Sequence, residues 1–254
     1  MSIQLFNIND KMKIVNGLPL LFIEDISALV AADLHLGIES IMREEGTFAP
    51  YNQTDKQIEI FITYLTKLKP KYLILNGDIK HSFSEPSKIE NRDVKKFIKE
   101  VSSKVSQVHI IKGNHDVLLT WALQDFDNVT FHNEFFHLEE YFFVHGDQQL
   151  PANIPEKAQY IIIGHEHPVL QARIKKLQKI RAQAFMLGPL NNMTKKLLVL
   201  PAFTDYSTGT PINPKNKSNL LSPILRDKVD LEKVEMFVLS DNEVFHFPEF
   251  RLWF

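Results

Sequence analysis

The chain contains no cysteine in 254 residues. That excludes disulfide staples, thiolate metal sites and a cysteine nucleophile. Charge of one sign is missing too: 29 basic and 31 acidic residues leave a net charge of -2. No global field therefore draws the chain to nucleic acid or to a membrane surface, and attraction for a polyanion has to come from a local patch. No apolar run approaches the roughly 18 residues of a membrane span. The opening MSIQLFNINDKMKIVNG lacks the charged start, long apolar stretch and small-residue cleavage site of a secretory leader. Internal repeats and low-complexity tracts are absent. The expectation is a cytoplasmic protein with no membrane partner. With 44% hydrophobic and 24% charged residues, the composition is that of a globular protein able to bury a core without staples. One domain over residues 1–254 is expected.

The first half alternates strands and helices. Apolar runs over residues 12–31, broken at Asn16-Gly17 and Glu24-Asp25, predict a hairpin and then a buried strand ending near Ala32. Ile58, Phe61, Ile62, Leu65 and Leu68 share one face of a helix over 53–68 that Pro70 stops. A buried strand Tyr72–Leu75 follows, then an amphipathic helix carrying Val94, Phe97, Ile98, Val101 and Val105, a strand Val108–Ile111 and a helix containing Val117–Leu123. This alternation points to an α/β fold. Beyond Asn128, short apolar runs recur at Val129–Phe131, Tyr141–Val144, Tyr160–Ile163, Phe185–Leu187, Leu197–Leu200, Glu235–Leu239 and Val244–Phe247, so the second half is strand-rich. The Pro- and Asn-rich segment 205–228 reads as a long surface loop.

Five of the apolar runs end in polar clusters with one chemical theme. ALVAA leads into Asp33-Leu34-His35, YLIL into Asn76-Gly77-Asp78, and VHII into Lys112-Gly113-Asn114-His115-Asp116. YFFV ends at His145-Gly146-Asp147, and YIII at Gly164-His165-Glu166-His167. Strands that finish in metal-ligand residues set them along the carboxyl edge of a sheet, where open α/β sheets build their sites. Singly, each cluster is an ordinary turn or an edge histidine. Together they hold five of the ten histidines, which chance placement at strand ends does not explain.

The ordered set D-x-H, G-D, G-N-H-D, H-G and G-H-x-H resembles the calcineurin-like metallophosphoesterases. The stretches NGDIKH, GHEHP and LPAFTDYSTGTPIN are similar to archaeal and bacterial phosphoesterases related to the nuclease subunit of SbcCD, whose relatives are associated with DNA helicases and a repair ligase. The resemblance implies a four-layer αββα sandwich of two mixed sheets. It implies one metal on Asp33, His35 and His167, a second on Asn114, His145 and His165, and Asp78 bridging them. Two divalent ions follow, with manganese expected and iron or zinc as alternatives, since oxygen and imidazole ligands do not choose among them. The reaction implied is attack on phosphorus by a metal-activated water, with His115 as general acid. A phosphodiester substrate follows, including single-stranded or flapped nucleic acid, with DNA-helicase association and a homodimer among the implied partners. A small-molecule phosphatase or nucleotide hydrolase on the same centre, and a scaffold without activity, stay open as alternatives.

Other residues carry two readings each. Asp116 either orients the His115 ring or caps the helix before Val117–Leu123. Lys80 and His81 either touch substrate or support the loop after Asp78. Arg173, Lys175, Lys176, Lys179 and Arg181 form either a phosphate-backbone patch or a solvated face. His109, His132, His137 and His246 have no ligand spacing and read as packing or surface residues.

Overall fold

The computed structural model describes residues 3–47, 49, 53–174, 178–214, 217–241 and 243–248. Two mixed sheets pack face to face. The first has seven strands in chain order: β1 (Leu5–Asn7), β2 (Met12–Val15), β3 (Leu21–Ile23), β4 (Ala28–Ala31), β5 (Tyr72–Asn76), β6 (Gln107–Ile111) and β7 (Val129–His132). Strands β1 to β4 form an antiparallel meander and β4 to β7 run parallel. Asn16 and Gly17, between β2 and β3, both have positive φ (48° and 65°), as a I′-type hairpin turn demands.

The second sheet gathers β8 (Phe135–Leu138), β9 (Tyr141–Val144), β10 (Tyr160–Ile163), β11 (Pro168–Ile174), β12 (Gln178–Pro189), β13 (Lys196–Val199), β14 (Thr210–Pro211), β15 (Glu235–Ser240) and β16 (Glu243–Phe247). Its path is β14-β11-β12-β13-β10-β9-β8, with β15 added to β12 and β16 to β15. Strand alternation explains how it is buried on both sides. Ile162 and Phe143 face inward against Met12, Ile14, Val30 and Ile74 of the first sheet. Their neighbours Ile161, Ile163 and Phe142 face outward.

Helices cover the first sheet: α1 (Ile38–Glu44), α2 (Gln53–Leu68), α3 (Lys88–Ser102) and α4 (Thr120–Leu123). Phe61, Leu65, Phe97 and Val101 pack on Leu29, Leu73 and Val108. The outer cover of the second sheet is thinner. It is α5 (Pro223–Lys228) with the irregular chain around it, which sets Leu220, Ile224, Leu225, Val229 and Leu231 on the strands. The expected α/β sandwich of two mixed sheets is the one observed.

Two expectations need correction. Segment 205–228 is not simply a surface loop: Ile212, Leu220, Ile224 and Leu225 are buried, and Pro223 sits in the first turn of α5, where its missing N–H costs nothing. The helix over Val117–Leu123 shrinks to Thr120–Leu123 because Leu118 adopts φ 63°, which no right-handed helix accommodates. Strand β11 and helix α1 were hidden, the first by its basic residues and the second by its brevity.

His109 of β6 and His132 of β7 face each other, Nδ1 to Nε2 at 3.0 Å, with His109 stacked on Phe136 at 4.0 Å. Burial first, and then the charge of His132, pushes His109 down to about 4; burial also lowers His132. The folded chain thus favours neutral rings, while the unfolded chain takes up protons below its ordinary value of 6.5. This contribution to stability is full above that pH and is lost as pH falls towards about 4. The drop in thermal midpoint across that window, followed in a chelating buffer, should be smaller for the double variant His109→Phe, His132→Phe than for the wild type. An equal drop would mean that this pair does not set the acid limb.

Candidate metal centre

Parallel strands deliver the clusters to one edge. β4 runs into Asp33 and His35, β5 into Asp78, and β6 into Asn114 and His115. Facing them, β9 ends at His145, and β10 at His165 and His167. Two groups of ligand atoms result, each within 4.8 Å: Asp33, His35 and His167, and Asp78, His145 and His165. Asn114 joins the second, its Oδ1 3.2 Å from His145 Nε2. Each group takes members from both sheets. Among the described residues, a third such group is His35, His81 and His115.

The backbone is bent to achieve this. Asp33, His35, Asp78, His165 and His167 all have positive φ, between 48° and 62°, and make up five of the twelve described non-glycine residues that do. Each such turn costs on the order of 1–3 kcal/mol and persists only where the surroundings overdetermine it. Cross-loop hydrogen bonds supply that constraint: Asp33 N to Gly77 O (3.0 Å), His35 N to Asp78 O (3.0 Å), Leu36 N to Ile79 O (2.8 Å) and Gly164 N to His145 O (2.9 Å). Two glycines permit the close approach. A Cβ on Gly77, itself at φ 86°, would lie 2.1 Å from His145 Nδ1; one on Gly113 would lie 2.1 Å from Asp78 Oδ1.

The carboxylates are themselves anchored. Asp33 accepts from the backbone N–H of His165 (3.2 and 3.0 Å), and Asp78 Oδ1 from that of His115 (2.9 Å). The rings are oriented through their other nitrogen. His145 Nδ1 donates to the Asn76 carbonyl (3.1 Å), His167 Nδ1 pairs with Ser207 Oγ (2.7 Å), and His115 Nδ1 donates to the His81 carbonyl. Each Nε2 is left facing the carboxylates, and for His145 and His167 that is the orientation an outer hydrogen bond gives a candidate metal ligand.

Asp33 and Asp78 are fully buried, and their ion-pair partners among the described residues are histidines alone. Burial opposes both charges, yet the histidines around them hold both carboxyls below their usual range. Burial pushes His35 down to about 3 and His165 down to about 4, so both present neutral lone pairs. Burial also opposes charge on His145, but the field and hydrogen bond of Asp78 carry it up to about 10. Two buried carboxylates ringed by imidazoles, with no lysine or arginine ion-paired to them among the described residues, form a donor set that fits hard-to-borderline divalent cations.

A family model for calcineurin-like phosphoesterases matches residues 26–183. The chain belongs to that family. This phosphoesterase is accordingly a metal-dependent phosphoester hydrolase, and its histidine and aspartate groups could hold metal ions. Among solved structures, nuclease MPE of Pseudomonas putida is similar at TM-score 0.64 and 18% identity, covering 97% of this chain and 100% of that one. Yfce, a phosphoesterase from E. coli, is a weaker likeness at TM-score 0.42 and 15% identity, over 87% of this chain and 98% of that one. The first supports a shared fold and the second carries no argument. A search of curated proteins finds no match.

The remaining candidates fall elsewhere. Asp116 neither caps α4, whose N-cap is Leu119, nor meets the His115 ring; its carboxylate accepts from Ile79 N and Gly113 N, both within 2.9 Å. Burial first, then Asp78, pushes it up to about 6. Lys80 is buried, and its ammonium donates to the carbonyls of Ser82 and Ser84, so in this conformation it supports the loop rather than offering itself to substrate. His81 is at the centre, Nδ1 to His35 Nδ1 at 3.3 Å. Of the basic run, Arg173 falls on β11 and Lys179 and Arg181 on β12, with Arg173 and Lys179 paired in register. β11 leads away from His167, so its far end lies roughly 20 Å along the strand at about 3.3 Å per residue. Lys175 and Lys176 lie outside the described residues. Arg181 bonds Gln171 and the Thr208 carbonyl.

Sequence reasoning passed over four supports. Asn76 Nδ2 donates to the carbonyls of Val144 (3.2 Å) and Ile162 (3.0 Å), tying β5 to β9 and β10. Glu166, between two candidate ligands, accepts from Leu221 N (3.1 Å) and Ser222 N (2.7 Å). Ser207 holds His167, and Glu90 holds the loop after His81. Only Glu90 had a visible signal, as the fourth residue of Ser87-Lys-Ile-Glu90, a capping box.

Gly113→Ala should weaken binding of the divalent ion by about 10- to 100-fold, as outer-shell disruption commonly does, because its methyl would displace Asp78. Isothermal titration with Mn²⁺ measures it, with far-UV circular dichroism as a check on folding. Unchanged affinity in a folded variant would show that the Gly113 contact is not needed.

Proposed function

We propose that this phosphoesterase is a two-metal phosphodiesterase acting on nucleic acid. The observation that carries the reading is the pair of His/Asp groups at one edge with His115 beside them. Asp33, His35 and His167 would hold one divalent ion, Asn114, His145 and His165 the other, and Asp78 both; manganese is the preferred ion, with iron and zinc as alternatives. Bound there, the ions would polarise the phosphoryl group and make a water acidic enough to attack near neutral pH. The protein's own part is to place His115. Its backbone N–H is pinned to Asp78 Oδ1, and its Nδ1 is held by the His81 carbonyl. Nε2, 3.8 Å from Asp78 Oδ2, then gives its proton to the departing oxygen.

Nucleic acid as the substrate class draws support from the P. putida protein of this fold being a nuclease and from the resemblance to the SbcCD-related subgroup. Single-stranded or flapped DNA, a helicase that would present it and a homodimer belong to the same proposal. A second reading, a nucleotide hydrolase, is favoured by a cleft of about 460 Å³ beside Asn114 and His145, lined also by Lys112, Asn133 and Gln148. That is the scale of a small-molecule site.

Rates on a nitrophenyl monoester, a nitrophenyl diester and a single-stranded oligonucleotide in one manganese buffer separate the readings. Monoester preference without oligonucleotide cleavage would select the second. Chelation should abolish activity, and Asp78→Asn should lose both metal and turnover; full activity after either would end the two-metal reading. His115→Ala should keep its metal while turnover on the oligonucleotide falls about 10²–10⁴-fold, the usual loss of a general acid. The loss should be smaller for nitrophenolate, which departs without a proton. Equal losses accompanied by metal loss would make His115 structural.

A further inference from the structure

Phe83 stands out for being exposed on a loop with little slack. Its relative exposure is 64%. The buried Lys80 ammonium binds the carbonyls on either side of it, those of Ser82 and Ser84. From the other side, Glu90 accepts from His81 N (2.8 Å), Ser82 N (2.8 Å) and Ser82 Oγ (2.6 Å). Glu90 has been taken for this purpose from the task its capping box would give it. Ser87 Oγ still caps α3 by accepting from Glu90 N, but the Glu90 carboxylate reaches the loop instead. Gly37 leaves it room, since a Cβ there would lie 2.7 Å from Glu90 Cγ. Anchored on both flanks, the loop holds an apolar ring in water at a fixed place.

That place is against His115. The two ring centroids are 3.6 Å apart and the planes are inclined by 32°. The segment after His115 continues the apolar character with Val117, Leu118 and Trp121, all exposed. A residue serving only to shield His115 would bury its own ring in doing so, whereas most of Phe83 is free. A phosphate alone would call for a cation, and the nearby Lys80 is already spent on carbonyls. A rigid, uncharged aromatic face suits a flat ring, and nucleobases stack on such faces irrespective of sequence.

We propose that Phe83 is the stacking platform for the nucleobase attached through the leaving oxygen, and so a specificity-determining residue. The proposal rests on the phosphodiesterase reading and on the position of His115. It makes the enzyme selective for phosphodiesters that carry a base next to the scissile bond, on the side that His115 serves.

The test compares thymidylyl-thymidine with two analogues, each having one of its two bases replaced by a tetrahydrofuran abasic unit, using the metal-loaded enzyme. The wild type should prefer the intact dinucleotide over one analogue in kcat/KM on the order of tenfold, within the range that base stacking supplies. Phe83→Ala should bring that ratio close to one, and Phe83→Trp should preserve it. The proposal is overturned if Phe83→Ala keeps the ratio, or slows all three substrates equally, which would make the ring a mere support for His115. Cleavage of all three by the wild type without preference overturns it alone. Cleavage of a nitrophenyl monoester but of none of the three overturns the phosphodiesterase reading and this proposal with it.

Discussion

The constraint on which everything else turns is the burial of two carboxylates, Asp33 and Asp78, whose ion-pair partners among the described residues are histidines alone. In a low-dielectric interior, two like charges are costly unless something positive is supplied. Histidines meet part of that demand in the protein itself, His145 most of all. His35 and His165, held neutral by burial, add lone pairs instead of charge. The centre is thus an electron-rich cage of carboxylates and imidazoles. Its assembly cost is spread over the folded sandwich.

That spreading explains why supports lie so far from the chemistry in the chain. Ser222, at the N-cap of α5, donates from its hydroxyl to the Gly146 carbonyl at 2.7 Å and from its N–H to Glu166. One residue of the thin outer layer thereby fastens the loop after β9 and the loop after β10. Asn76 does the corresponding work between the sheets. Left-handed turns at five candidate ligand positions are held by these ties, so the irregular chain beyond residue 200 belongs to the candidate site as much as to the fold.

What could be read from the residues divides along physical lines. The ligand clusters were visible because metal-binding residue types at successive strand ends form a pattern independent of tertiary detail. Most strands and both long helices were visible because their apolar periodicity is strong. Asp116 was misread because its carboxylate reaches back to Gly113 N within G-N-H-D and across to Ile79 N, which β5 brings in, and the second partner is not visible locally. Lys80 carried two readings, substrate contact and support of the loop, and its ammonium takes the second, because the carbonyls of Ser82 and Ser84 lie within four residues of it. The basic run drew attention through closeness in sequence to His167, but a strand carries closeness away at about 3.3 Å per residue.

Because each His/Asp group draws on both sheets, a bound cation would act as a rivet through the sandwich. Neither sheet could open by itself and keep half a site. Occupancy would couple to the packing of Phe143, Ile162 and Ile74 in the layer between the sheets. Ligand binding that favours the folded state stabilises it in proportion to the logarithm of free ligand concentration. Here that increment would fall on the contact between the sheets. Backbone amides of β4 and β5 and those of β9 and β10 would gain protection from solvent exchange together, as one cooperative unit. Metal availability would then govern how long the two halves stay together as well as whether the centre can turn over.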